Sequence, residues 1–295
     1  MELDLAQLRA LDATVREGTL EAAARALHVT PSAVSQRLRA LEVATGRVLL
    51  VRTKPVRVTE SGEVVLRLAR QIGLLTADAA RELGGEGDRP SMPIAVNADS
   101  MDTWVLPALA PLAADLAFDL HREDQEHTTA LLRAGAVMAA ITAEPEPVPG
   151  CTVTPLGRMR YRPMASPAFA ARWFPDGPTP EALRVAPVVV FDRKDDLQHT
   201  YLRRRVDPDA DPRPHYVPAT ADYLAAIVLG FGWGMVLDLQ RPAAGGPLID
   251  LDRDGCVDVV LHWQQWKLRS PSLDRVRAAV EAAARRQLDQ AATRS

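Results

Sequence analysis

Between Ser32 and Arg57 the chain concentrates side chains that hydrogen-bond to base edges and to phosphates. Ser32, Ser35, Gln36 and Arg39 recur at helical spacing with Arg37 beside them, so a single helix face would carry them. Gln pairs with adenine and Arg with guanine in a major groove, while Ser is permissive. Arg52, Lys54 and Arg57 follow around a turn and suit phosphates, which position a protein without reading sequence. From Arg25 to Arg57 the bases Arg25, Arg37, Arg39, Arg47, Arg52, Lys54 and Arg57 face Glu42 alone, a local charge of +6. Between Asn97 and Glu126 the balance inverts: Asp99, Asp102, Asp115, Asp119, Glu123, Asp124 and Glu126 face only Arg122. A basic block joined to an acidic middle implies two jobs in two modules.

The elements that must position the basic block are short. Leu5, Leu8, Leu11 and Val15 form one face of a first helix, Gly18 breaks it, and Thr19 caps a second helix over residues 20–27. His28 and Val29 make a tight turn, after which Thr30 and Pro31 start a third helix running to about Thr45. Val34, Leu38 and Leu41 are its buried face and Gly46 its stop. Two helices about such a turn form a helix-turn-helix, whose second helix enters the major groove. Strands at 48–51 and 56–59 around Arg52-Thr53-Lys54-Pro55 add a β-wing. The competing reading is an ordinary helical hairpin with a solvated basic face. Thr59 then caps a long helix from Glu60 to about Leu83, with Val65, Leu68, Ile72, Leu75, Ala79 and Leu83 along one side. That seam suits coiled-coil pairing with a second subunit, which would present two recognition helices to two half-sites.

Composition narrows the class. The 295 residues suffice for about two domains, and 47% hydrophobic with 25% charged residues is a globular balance. No run reaches the ~18 apolar residues of a membrane span. The acidic start Met1-Glu2-Leu3-Asp4 is unlike an export signal, and Cys151 and Cys256 stand far apart, so the expected compartment is the cytoplasm. His121 and His127 are too isolated for a metal site, no catalytic triad, activated cysteine or carboxylate pair stands out, and neither cofactor nor enzyme activity is expected.

The stretch from Thr19 to Glu42, with Ala22-Ala23-Ala24-Arg25 and Thr30-Pro31-Ser32-Ala33-Val34-Ser35-Gln36-Arg37-Leu38-Arg39, resembles the DNA-binding signature of LysR-type transcriptional regulators. The wing Arg52-Thr53-Lys54-Pro55 followed by Val58-Thr59-Glu60-Ser61-Gly62 is similar to theirs as well. Most members carry Gln-Pro where this chain has Pro31-Ser32, so a base contact often made by that Gln is absent. The resemblance implies an α+β protein: an N-terminal winged helix-turn-helix, a long linker helix, then two α/β lobes of periplasmic-binding-protein type. On that plan residues 1–59 bind DNA, 60–90 are linker helix and hinge, 91–162 with 266–295 form effector lobe 1, and 163–265 form lobe 2. Crossover strands are expected near 159–165 and 257–266, and the last helix, from Pro271 to about Leu288, returns to the first lobe. The implied partners are double-stranded DNA, a small effector, a second copy as homodimer or dimer of dimers, and RNA polymerase, with no membrane. Asn97-Ala98-Asp99-Ser100-Met101-Asp102-Thr103-Trp104, the segment 191–198 and Gly230-Phe231-Gly232-Trp233-Gly234-Met235 resemble the subgroup that senses lysine or arginine and controls basic amino-acid exporters. Some of that subgroup were described as inhibitors of chromosome initiation.

In the effector half, strands are expected at 93–98, 117–122 and 136–141, alternating with helices at 103–116 and 128–134. Ligands of such sheets sit at strand carboxyl ends. Asp99-Ser100-Met101 opening a helix there would offer a hydroxyl and N–H groups to a carboxylate, and Thr142 a second hydroxyl. Asp99, Asp124, Asp192 and Asp222 are candidate acceptors for ammonium groups, and Trp104 and Trp233 would cover an aliphatic stem. For any one of these the plain alternative is capping or solvation. Gly230 to Gly234 fit no nucleotide-binding spacing and are expected to form a turn packed closely into the next strand, and Arg203-Arg204-Arg205 a solvated helix face. Three readings stand: an effector-controlled transcription factor, a replication-inhibiting DNA binder with little ligand control, and an amino-acid-binding module without DNA function.

Overall fold

The computed structural model describes residues 2–84, 89–122, 128–206 and 212–289. The chain divides into two compact units, the first comprising Met1–Val96, Leu109–Val153 and Trp263–Ala278, the second Asn97–Ala108, Thr154–His262 and Ala279–Ser295.

The first unit opens with α1 (Leu5–Glu17), α2 (Leu20–Ala26) and α3 (Pro31–Thr45). Each begins at an oxygen-bearing residue that accepts N–H groups the first turn cannot use: Asp4 from Ala6 and Gln7, Thr19 from Ala22, Thr30 from Ala33. Gly18 and Gly46 close α1 and α3 in the left-handed region, at φ 73° and 64°. Leu8 and Leu11, Ala23 and Ala24, and Val34, Leu38 and Leu41 form one core, the small alanines letting α2 approach its neighbours. Leu5, expected on that face, lies in the first turn and is exposed. The wing is shorter than its sequence suggests: β1 (Leu50–Val51) pairs antiparallel with β2 (Arg57–Val58). Flanking positions are held otherwise, Thr59 donating its N–H to Leu49 and its hydroxyl to Val48 at 3.0 and 2.7 Å. Glu42, the single acid of the basic stretch, accepts the Leu49 N–H at 2.9 Å.

Thr59 also caps α4 (Glu60–Glu82), accepting the Gly62 N–H at 3.0 Å. The 23 residues reach ~35 Å. The expected apolar seam is split. Val65 turns inward with Leu66, Ala69, Leu74 and Asp78, whereas Leu75, Ala79 and Leu83 are exposed together with Val64. Apolar residues occupy two sides of this helix, and spacing cannot say which side its own chain covers. Of the hinge expected at 84–90, residues 85–88 lie outside the described residues.

Beyond it come β3 (Ser91–Val96), α5 (Ala98–Ser100), a π-helical stretch (Met101–Val105), α6 (Leu106–Leu109), a 3-10 turn (Ala110–Leu112), β4 (Ala117–Arg122), α7 (Thr128–Arg133) and β5 (Ala139–Thr142). In the first unit β3 pairs in parallel with β4 (Ile94↔Leu120) and with β5 (Ile94↔Ala139). Three expectations shift here. The first strand ends at Val96, so Ala98 is already helical. The helix read at 103–116 covers 98–112 with mixed geometry, since Pro107 and Pro111 lack the N–H that a regular α-helix needs. Thr142 is the last residue of β5 rather than the residue after it.

Then follow β6 (Cys151–Ala165), α8 (Pro167–Trp173), α9 (Pro180–Val185), β7 (Val188–Val190), α10 (Leu197–Arg205), β8 (Pro214–Tyr216), α11 (Thr220–Val228), β9 (Gly234–Leu237), β10 (Ile249–Asp250), β11 (Val257–Trp266) and α12 (Pro271–Gln287). In the second unit β6 pairs antiparallel with β9 and β10, and β7 pairs in parallel with β8. The chain passes between units after β3 at Val96, within α6 at Ala108, within β6 and β11, and again within α12 at Ala278. The glycine turn behaves as read: Gly230 has φ 82°, and a Cβ on Gly232 would fall 2.7 Å from the Pro187 carbonyl oxygen. Among the described residues no helix is long and apolar enough to cross a membrane.

Gly62 is where α4 meets the wing, and a Cβ there would lie 2.1 Å from the Leu49 carbonyl oxygen. Gly62→Ala therefore lowers stability by about 2 kcal/mol or more in urea unfolding. A variant as stable as the parent contradicts this packing.

Candidate functional site

On α3, Ser32, Gln36 and Arg39 are exposed along one face, with Ser35 and Arg37 half-buried beside them. Arg52, Lys54 and Arg57 are exposed on the wing. Among the described residues none of these five cations has an ion-pair partner. The surface thus joins a hydrogen-bonding helix face to unneutralised positive charge, which is what a duplex requires of a protein.

The second unit gathers a different set. Asp99, in the short turn of α5, accepts the Tyr161 hydroxyl at 2.6 Å and the Gln240 amide at 2.8 Å. Desolvation raises its carboxyl above the ordinary range, against the lowering effect of those two bonds, and Asp102 adds repulsion. Asp195 is raised by desolvation too, against the Leu197 and Phe191 N–H groups it accepts, and feels Asp99. Tyr161 and Tyr223 sense both carboxylates and are themselves raised, chiefly by burial. Gln198 donates to the Val189 carbonyl and to the Tyr223 hydroxyl, which in turn donates to the Met235 carbonyl at 3.1 Å. Among the described residues neither Asp99 nor Asp195 has an ion-pair partner. Elsewhere in this unit Asp258 takes Arg160 at 2.8 Å and Asp238 takes Arg162 at 3.0 Å. Arg160 draws the Asp258 carboxyl below its usual range.

Of the other expected effector residues, Ser100 is wholly buried and its hydroxyl donates to the Met159 sulfur at 3.4 Å, a weak acceptor. Met101 opens the π-helical stretch and is half-buried. Trp104 is buried with its indole N–H unpartnered among the described residues, as is the side-chain oxygen of Asn97. Thr142 belongs to the first unit, buried, accepting the Glu144 N–H at 3.1 Å. Three expected residues are otherwise engaged. Asp192 accepts the Lys194 and Asp195 N–H groups and so builds its own turn. Asp222 is exposed in the first turn of α11, where a carboxylate suits the helix dipole. Trp233 is packed in the core, its ring edge-on to Tyr201 at 5.5 Å. Asp124 and His127 lie outside the described residues.

Asp115 is paired with Arg275 and Asp119 with His121. Arg203, Arg204 and Arg205 are exposed, as expected of a solvated helix face, and Arg203 and Arg205 pair there with Asp196 and Asp252. Asp195 and Gln198 lie within the 191–198 segment but were not named as site residues, and Tyr161, Gln240 and Tyr223 were missed because each comes from a different element and no local pattern links them.

Residues 5–63 match the bacterial regulatory helix-turn-helix protein, lysR family, and residues 85–285 match the LysR substrate binding domain. The chain belongs to the LysR family. This LysR-family protein is 45% identical over 287 residues to the HTH-type transcriptional regulator LysG of Mycobacterium bovis, covering 96% of this chain and 94% of that one. The crystal structure of ArgP from Mycobacterium tuberculosis is 44% identical, with a TM-score of 0.82, over 98% of this chain and 99% of that one. Full-length LysG from Corynebacterium glutamicum with bound effector Arg is 38% identical, with a TM-score of 0.74, over 97% and 100%.

In this LysR-family protein the raised carboxyl of Asp99 has a signature in solution. The folded chain holds that proton more tightly than the unfolded chain. Stability is therefore lost as pH rises from the ordinary carboxylate value through the raised one, and the penalty is complete above it. Asp99→Asn raises the melting temperature at pH 7, and the gain shrinks towards zero near pH 3.5. A gain independent of pH assigns the effect to something other than the carboxylate.

Proposed function

We propose that this protein is a DNA-binding transcriptional regulator set by a basic amino acid, lysine or arginine, and that it controls a gene for exporting such amino acids. The observation that carries the effector half is the contrast inside the second unit. Asp258 and Asp238 are matched by arginines, while Asp99 and Asp195 are desolvated without a counter-charge among the described residues. A ligand ammonium or guanidinium would supply the missing cation. The unspent Trp104 N–H and Asn97 oxygen, with the weakly engaged Ser100 hydroxyl, are hydrogen-bonding capacity for an amino acid's other end. Arginine bound to the related LysG of Corynebacterium glutamicum supports the same ligand class.

The DNA half assigns base reading to Ser32, Ser35, Gln36, Arg37 and Arg39 and phosphate contacts to Arg52, Lys54 and Arg57. The protein acts as a homodimer joined through the exposed stripe Val64, Leu75, Ala79 and Leu83 of α4, which leaves two α3 helices for two half-sites. Its role is regulatory rather than enzymatic. The effector resets the dimer by binding one arrangement of it better than another.

Two measurements test this. In mobility-shift titrations on the protein's own upstream intergenic DNA, Gln36→Ala lowers discrimination between operator and scrambled sequence by ~1–3 kcal/mol. Arg52→Ala weakens both sequences alike and reduces the salt slope by about 1. Unchanged binding in both variants removes α3 and the wing from the DNA surface. In calorimetry, lysine and arginine bind while norleucine, which lacks the terminal cation, does not, and Asp99→Asn lowers lysine affinity at least tenfold. Equal lysine affinity in the variant moves the effector site away from Asp99.

A further inference from the structure

One face of α4 carries Arg67, Arg70, Asp78 and Arg81, and each meets a part of the first unit far away in sequence. Arg67 stacks over the Trp266 ring at 4.8 Å. Asp78 is buried and accepts the hydroxyls of Ser270 and Ser272 and the Arg81 guanidinium. Arg70 differs from the others because it touches two bodies at once. Its Nε donates to Asp12 Oδ1 in α1 at 2.9 Å, and its Nη1 donates to the carbonyls of Gly135, at 2.9 Å, and Ala136. Its side chain is only 9% exposed.

Both partners are made for this contact. Gly135 and Ala136 follow the C-terminus of α7, where carbonyls lack helical donors and a cation is favoured. Gly135 stands at φ 66°, and a Cβ there would fall 2.4 Å from the Arg67 Cβ, so only glycine lets α4 come this close. A guanidinium spreads donors in a fixed fork, which lets one side chain serve a carboxylate and two carbonyls; a lysine ammonium has no such reach. The gripped loop runs directly into β5, whose last residue is Thr142. Five residues, Val137 to Ile141, separate the Arg70 contact from the buried Thr142.

We propose that Arg70 is the coupling strap of this regulator. It holds α1 of the DNA-reading module against the 134–136 loop, so that a shift of β5 on effector binding reaches α1 through one side chain. The transmitted signal rests on the effector reading above, whereas the strap itself stands on contacts within the first unit.

The test uses the full-length protein and two readouts. In hydrogen exchange without ligand, Arg70→Ala raises exchange at least threefold at amides of residues 12–17 and of residues 134–138 together. In mobility shifts on the upstream intergenic DNA, the ratio of affinities with and without L-lysine falls to within twofold of unity in Arg70→Ala and Arg70→Lys, while calorimetric lysine affinity stays within twofold of the parent. A parent-like ratio in both variants overturns the coupling. A rise in exchange at neither segment, or at one alone, overturns the strap. If the parent itself gives a ratio of unity with lysine and with arginine, the effector reading fails, and the exchange data alone decide whether the strap exists. Where Arg70→Ala does not fold, Asp12→Asn frees the module side only. It raises exchange at 12–17 and leaves 134–138 unchanged, and protection retained at 12–17 sinks the proposal.

Discussion

Much of this protein depends on how α4 divides its faces. A winged helix-turn-helix of about sixty residues buries little surface by itself. Val65, Leu66 and Ala69 of α4 complete the core built by Leu8, Leu11, Val34, Leu38 and Leu41. Farther along, the same side of the helix changes from apolar to polar, and Arg70, Asp78 and Arg81 engage carbonyls and hydroxyls of the effector half. The linker is therefore core at one end and a polar dock at the other. Its opposite stripe, with Val64, Leu75 and Leu83, is exposed.

Electrostatics separate building material from recognition groups. Arg158, Arg160 and Arg162 lie on alternate positions of β6 and meet Asp258, Asp289, Asp238 and Asp250. These pairs are partly solvated and contribute modestly to stability. Without counter-charge among the described residues are, among others, the cations of α3 and the wing and the carboxylates of Asp99 and Asp195. Their environments differ. The cations are mostly exposed and hydrated, which suits a partner that itself carries a dense charge. The carboxylates are desolvated and held by Tyr161, Gln240 and backbone N–H groups, which suits a small ligand with a few point contacts. One chain thus holds opposite unpaired charges in two places, and linking them mechanically is what an effector-responsive regulator must do.

The DNA-reading half was legible residue by residue. Thr19, Thr30 and Thr59 cap the helices expected of them, Gly18 and Gly46 end theirs, and Val34, Leu38 and Leu41 are buried as their spacing implied. All of that is local, within a turn or two of helix. The effector half was legible as strand and helix, but its candidate residues sorted unevenly. Asp99 is engaged by side chains from distant elements, while Asp192 serves its own turn, Asp222 sits at a helix start and Trp233 fills the core. An aspartate after a strand looks alike in each case, since capping and ligand binding use the same oxygen atoms.

By itself the sequence determined the helix-turn-helix, the wing, the length and cap of the linker helix and the family, because these rest on contacts between residues close in the chain or on a long continuous resemblance. Only the tertiary structure decided which apolar stripe of α4 turns inward, which aspartates are matched by arginines, and that Tyr161 and Gln240 hold Asp99 while Asp195 and Tyr223 feel its charge. It also decided that Arg70 reaches Asp12 and the 135–136 carbonyls, partners 58 and 65 or more residues away. The physical reason is common to all of these. Desolvation and ion pairing depend on what the fold brings within a few ångströms of a group, and neighbours in sequence carry no information about that.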